Sequence, residues 1–244
     1  MKNVDFSYVT GVPILHDVSL TARPGQKIGL VGPTGAGKST IINVITRYYD
    51  IQAGDITLDG TSVYDSTQES LRERVGMVLQ EPYLFSDTVM ANIRYARLDA
   101  TDDECIAAAE AASAHGFIMR LPDGYDTVLS GGGSNLSQGQ RQLITIARII
   151  LADRPVLILD EATSSVDTRT ERKLQEALTT MMKGRTSFVI AHRLSTIRDS
   201  DVIVAINDGR VVDVGSHDEL MAARGFYHDL YMSQFRGDAK PADL

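Results

Sequence analysis

The chain has 244 residues, 43% of them apolar and 23% charged, and 32 acidic against 24 basic side chains give a formal net charge of −8. That length can bury a sizeable core without metals or disulfides, and the acidic balance argues against nucleic acid or an anionic lipid surface as the main partner. The single Cys105 cannot form an internal disulfide, no signal peptide opens the sequence, and no apolar run reaches the roughly eighteen residues of a membrane helix, so a soluble domain in a reducing cytosol is expected.

Up to about residue 60 the pieces "VDFSYV", "DVSLTA" and "GDITLDG" alternate in polarity and carry turn signals, the pattern of a small antiparallel sheet. Within that stretch "KIGLVG" (27–32) reads as a buried parallel strand, and it runs into "GPTGAGKST" (32–40) and the helical pattern "STIINVITRYY". A strand, then Gly-x-x-x-x-Gly-Lys-Ser, then a helix is the context of a phosphate-binding P-loop. Gly32, Gly35 and Gly37 let the backbone bend until consecutive N–H groups face the phosphates, with Pro33, Thr34, Ala36 and Thr40 completing the loop. Lys38 would reach the β- and γ-phosphates, and the Ser39 hydroxyl would ligate Mg²⁺.

"VGMVL" (75–79) is another strand, and from about 84 to 152 the pattern is helical. "TDDECIAAAEAASA" (101–114) opens with a Thr-x-x-Glu capping box, and the loop "NLSQGQRQL" (135–143) leads into "LITIARIILA" as a helix start able to hold an anion. "VLILDEATSSVD" (156–167) ends a buried strand with adjacent carboxylates. Asp160 is suited to the Mg²⁺ water shell and Glu161 to polarising an attacking water. "TSFVIA" (186–191) and "DVIVAI" (201–206) are further strands, "NDGRVVDVG" (207–215) is a hairpin, and helices follow at about 216–223 and 225–235. The alternation implies an α/β fold: a P-loop core with a mostly parallel sheet, an N-terminal antiparallel β subdomain and an inserted α-helical subdomain. One domain is expected over 1–236, with a disordered tail at 237–244.

"GPTGAGKST", "LSQGQ" and "LILDEATSSVD", in that order and spacing, resemble the nucleotide-binding domain of ABC transporters, and the likeness runs from "NVDFSY" to "VGSHDEL". The resemblance implies an ATPase that uses ATP and Mg²⁺ and pairs head to tail with a second such domain. Leu136, Ser137, Gln138, Gly139 and Gln140 of one chain then face the γ-phosphate held by the other. It further implies that Tyr8 stacks on adenine, that Gln80 reaches Mg²⁺ and the attacking water and senses the membrane domain, that His192 contacts the γ-phosphate beside Glu161, and that Asp167 couples the two sites. "AHRLSTI" and "LQEPYLFSDTVMANIRYA" resemble the exporter class, whose subunits usually carry membrane helices ahead of the ATPase. The chain is therefore expected to be a piece of a longer half-transporter, Met1 having been supplied for expression, acting with a transmembrane domain at the cytoplasmic face of a membrane.

Three positions depart from the usual family spelling: Gln138 stands where glycine is common, "TVLSGGGSN" (127–135) lacks the expected charges, and "SSVD" replaces Ser-Ala-Leu-Asp. None removes a catalytic group, and spellings like the first occur in exporters that pair unlike subunits, so a homodimer and a heterodimer both stay open. Two alternatives from the same family are a non-transport ABC ATPase, for which the chain shows no coiled-coil insertion or basic surface, and a regulatory cassette that binds ATP without hydrolysing it. A P-loop GTPase is disfavoured because no Asn/Thr-Lys-x-Asp motif occurs. His16, His115, His217 and His228 have no metal-ligand spacing.

Overall fold

Lys2–Phe6 (β1) pairs antiparallel with Leu15–Val18 (β2) and with Ala53–Asp55 (β4), which gives the small N-terminal sheet expected from the alternating pattern. The computed structural model describes residues 1–79, 82–161, 168–191 and 197–238, and the chain divides into two units, Met1–Val75 with Thr186–Leu244, and Gly76–Arg185.

In the first unit Lys27–Val31 (β3) is flanked in parallel by Thr186–Ala191 (β9) and Val202–Asn207 (β10), and Arg210–Gly215 (β11) pairs antiparallel with β10 at the edge. Ile28, Leu30 and Val31 are all at most 1% exposed, because a central parallel strand is covered on both faces; this is why the run reads as apolar rather than alternating. Helix α1 (Lys38–Ile45) leaves the carboxyl end of β3 through the P-loop. A short hairpin, Thr57–Leu58 (β5) with Thr61–Ser62 (β6), and the one-turn helix α2 (Gln68–Arg72) follow. The β5–β6 and β10–β11 hairpins turn on Asp-Gly, and Asp59, Gly60, Asp208 and Gly209 all have positive φ, the backbone that a two-residue turn between twisted strands requires. Beyond β11, α8 (His217–Ala223) and α9 (Phe226–Asp238) place Leu220 and Tyr227 in one buried cluster with Val31, Ile203 and Ala205.

In the second unit Val75–Val78 (β7) lies beside Val156–Glu161 (β8), and the remainder is helical: α3 (Val89–Arg94), α4 (Asp102–Ala111), α5 (His115–Ile118), α6 (Gln138–Ala152) and α7 (Thr168–Met182). Helix α6 is the axis of this unit. Its Leu143, Ile144, Ile146, Ala147, Ile149 and Leu151 are buried, and each fully buried Leu or Ile contributes about 1.5–3 kcal/mol. Helix α4 turns Cys105, Ala108 and Ala109 inward, small side chains that let two helices approach closely, and its capping box between Thr101 and Glu104 forms as expected. Cys105 is fully buried, and burial raises its thiol pKa, so it is inert packing. Among the described residues no helix is long and apolar enough to cross a membrane.

Candidate functional site

The loop between β3 and α1 has the geometry its sequence demands. Gly32, Gly35 and Gly37 have φ of 152°, 83° and 107°. A Cβ on Gly32 would stand 2.1 Å from the Ile206 carbonyl oxygen of β10, so that position tolerates only glycine. Gly37 is the N-cap of α1 and makes no side-chain cap hydrogen bond, so no cap side chain occupies the positive end of the helix. Pro33, Thr34, Gly35 and Ser39 are exposed, whereas Ala36 and Thr40 are buried beneath them. Lys38 curls back over the loop, its Nζ donating to the Gly32 carbonyl at 2.7 Å and the Pro33 carbonyl at 2.9 Å, so its charge sits at the mouth of the cradle.

Two supports of this loop were invisible in the sequence. The β10–β11 turn reaches across to it, since Gly209 N–H donates to the Ala36 carbonyl at 3.1 Å while the Gly209 carbonyl accepts from His16 N–H at 2.9 Å. A Cβ on Gly209 would meet the Ile14 carbonyl oxygen at 2.0 Å, at φ 71°. Gly209→Ala is therefore expected to destabilise the chain by about 2–4 kcal/mol, which lowers the thermal midpoint by about 5–10 °C at this size. Gly35→Ala, whose Cβ meets nothing within 4 Å, carries only the left-handed backbone cost of about 1 kcal/mol. Equal midpoints for the two variants in a thermal melt would refute this support. The other support is Tyr8, which the structure brings onto α1: Asn43 Nδ2 donates to its hydroxyl at 2.9 Å, and that hydroxyl donates to Thr40 Oγ1 at 3.3 Å.

In the second unit Asp160 stands half-buried near the carboxyl end of β8, and Glu161 is the last residue of that strand. The Glu161 side chain, and Gln80, Asp167 and His192 altogether, lie outside the described residues. The "LSQGQ" stretch forms the start of α6. Leu136 and Gly139 are buried, Gln138 and Gln140 are half-buried, and Ser137 is exposed as the N-cap. A capping box closes it: Ser137 Oγ accepts from Gln140 N–H at 3.3 Å, and Gln140 Oε1 accepts from Ser137 N–H at 2.9 Å. The Ser-x-x-Gln spelling carried that signal, which a purely ligand-centred reading passes over. The two other complete boxes among the described residues, at Thr101 and Ser216, use Glu104 and Glu219, whereas this one uses a neutral amide. Gln140 thus satisfies the backbone without placing a negative charge where an anion would sit.

The same unit holds a feature without any local sequence signal. Arg148 of α6 donates from Nε to the Asn92 carbonyl at 2.8 Å and from Nη1 to the Tyr83 carbonyl at 3.2 Å, and lies over the rings of Phe85 and Tyr95. Burial depresses its pKa. Asn92, 1% exposed, in turn accepts from Phe85 N–H and donates to the Phe85 and Thr88 carbonyls. These bonds fix the stretch 83–88, just beyond Gln80, and leave Tyr83 and Tyr95 largely exposed around the half-buried Phe85.

The chain is similar to known proteins over nearly its whole length. The family model described as "ABC transporter" matches residues 15–164. A Bacillus subtilis protein described as an uncharacterized ABC transporter ATP-binding protein, YfiC, is 54% identical over 234 residues, covering 96% of this chain and 39% of its own length. A fatty acid ABC transporter ATP-binding/permease protein of Mycobacterium bovis is 50% identical over 94% of this chain and 36% of its own length. Among solved structures, a bacterial Atm1-family ABC exporter with ATP bound superposes with a TM-score of 0.91 at 42% identity, over 99% of this chain and 42% of that one. The chain thus spans about two fifths of the length of the curated relatives it matches.

Proposed function

The chain belongs to the ABC transporter family as its ATP-binding domain, and we propose that it is the ATP-hydrolysing motor of an exporter, in which ATP joins two such domains head to tail and hydrolysis parts them. The observation that carries this is the preshaped loop of residues 32–38 with Lys38 folded over its mouth, a cradle built for a polyphosphate. Residues 1–236 serve as one nucleotide-binding domain with its helical part at 84–152.

In this reading Tyr8 stacks on the adenine, the P-loop N–H groups and Lys38 hold the β- and γ-phosphates, and Glu161, helped by His192, activates the water. The exposed Ser39 hydroxyl, Gln80 and, through water, Asp160 would hold Mg²⁺, which would supply charge neutralisation at the phosphates and takes few protein ligands. Ser137 and Gly139 close on the ATP of the opposite chain. The Ser137 hydroxyl accepts one hydrogen bond within its own helix and still has a proton to donate outward. Asp167 links the paired sites. Tyr83 and Tyr95, 66% and 57% exposed, offer aromatic surface to loops of a transmembrane domain, and in this reading the domain works at the cytoplasmic face of the membrane.

A site shared by two chains makes turnover second order in protein. Mg²⁺-dependent phosphate release per chain at saturating ATP is expected to rise with chain concentration through the micromolar range and then level off. A rate per chain that stays constant would mean a site complete within one chain. Tight ATP binding with no release at any concentration, with or without a partner domain, would favour the non-hydrolysing cassette.

A further inference from the structure

Tyr8 is held on three sides while 45% of its surface stays open. Its hydroxyl lies between Asn43 Nδ2 at 2.9 Å and Thr40 Oγ1 at 3.3 Å, and its ring meets Phe6 and Tyr49 edge to face, with centroids 4.8 and 4.9 Å away. Asn43 also anchors the second of these neighbours, because its carbonyl accepts from Tyr48 N–H at 2.9 Å and so sets the segment that carries Tyr49. A phenol ring has two side-chain torsions, and packing at its edges restrains them only loosely. A hydroxyl that accepts from one fixed group and donates to another fixes both.

We propose that Asn43 is a positioning residue of the nucleotide site: its amide sets the ring plane of Tyr8 and ties the base platform to α1, the helix that carries Ser39 and Thr40. The gain is preorganisation, since a ring already oriented for stacking loses no torsional freedom when the base arrives. A consequence is that base and phosphate recognition share one rigid element. The inference rests on the proposed reading of Tyr8 as the base platform.

The test compares MgATP with magnesium tripolyphosphate, which fills the P-loop but has no base, by calorimetric titration of the chain and its variants. Asn43→Leu, which keeps the volume, and Tyr8→Phe, which removes only the hydroxyl, are each expected to weaken ATP binding about fivefold, the cost of ordering one freed side chain when the base arrives. The double variant should lose no more than either alone, and tripolyphosphate affinity should not change. Tyr8→Ala should lose about tenfold or more for ATP alone, as loss of stacking requires. Unchanged ATP affinity in Asn43→Leu alongside a loss in Tyr8→Ala overturns the role of Asn43 and leaves the base platform standing. No loss in Tyr8→Ala overturns the platform and the inference together. Equal losses for ATP and tripolyphosphate in Asn43→Leu, or additive losses in the double variant, show that Asn43 acts on the P-loop and not through Tyr8, and likewise overturn it.

Discussion

Glu161→Gln is expected to slow ATP hydrolysis at least about a hundredfold and to hold the chain as a dimer whenever MgATP is present. Removal of a general base costs about 10²–10⁴ in rate, and an amide keeps the shape of the carboxylate but cannot take a proton from water. Glu161 closes β8 immediately after Asp160, at the end of a strand where α/β proteins place such groups. On the proposed pairing, an uncleaved γ-phosphate would keep the two chains joined. Sedimentation of Glu161→Gln should show a dimer with ATP and a monomer with ADP. Two changes at the start of α6, made in that background, should each abolish the dimer. Ser137→Arg fills the space above the exposed N-cap, and Gln140→Glu keeps the capping box but sets a carboxylate against the phosphate. Hydrolysis at the parent rate would remove Glu161 from the mechanism. A monomer at millimolar ATP would exclude self-pairing and leave an unlike partner domain, and failure with every partner would refute the shared site.

Lys38→Ala should weaken ATP binding by tenfold or more, at least about 1.4 kcal/mol. The Lys38 ammonium bridges the Gly32 and Pro33 carbonyls, so its charge is fixed over the loop, where the proposed function would bring the terminal phosphates. A charge-assisted contact to phosphate is stronger than a neutral one, and nothing else in the loop from Gly32 to Gly37 is cationic. Truncation also frees those two carbonyls, so a Lys38→Met variant, which retains the apolar stem, separates packing from charge. Both variants should lose affinity alike in a titration with a fluorescent ATP analogue. Retained affinity in either would refute the assignment of Lys38 to the phosphates.

Much of this was legible in the sequence because the physics behind it is local. β3, β9 and β10 are apolar runs because parallel strands are buried on both faces, and the P-loop declares itself through glycines that a tight anion cradle requires. The Asp-Gly turns and the Thr101 capping box depend on neighbours within a few residues. Even the Ser137–Gln140 box was written in its spacing. The strands, the phosphate loop and the family were readable from short segments, since each rests on backbone conformations and burial patterns that such segments encode. The braces came from folding alone: Gly209 against Ala36 and His16, Asn43 beneath Tyr8, and Arg148 with Asn92 behind Tyr83 and Phe85. Those contacts join segments far apart in the chain, and a glycine in a turn or an asparagine on a helix looks the same whether it meets solvent or a distant carbonyl until folding sets the partner beside it.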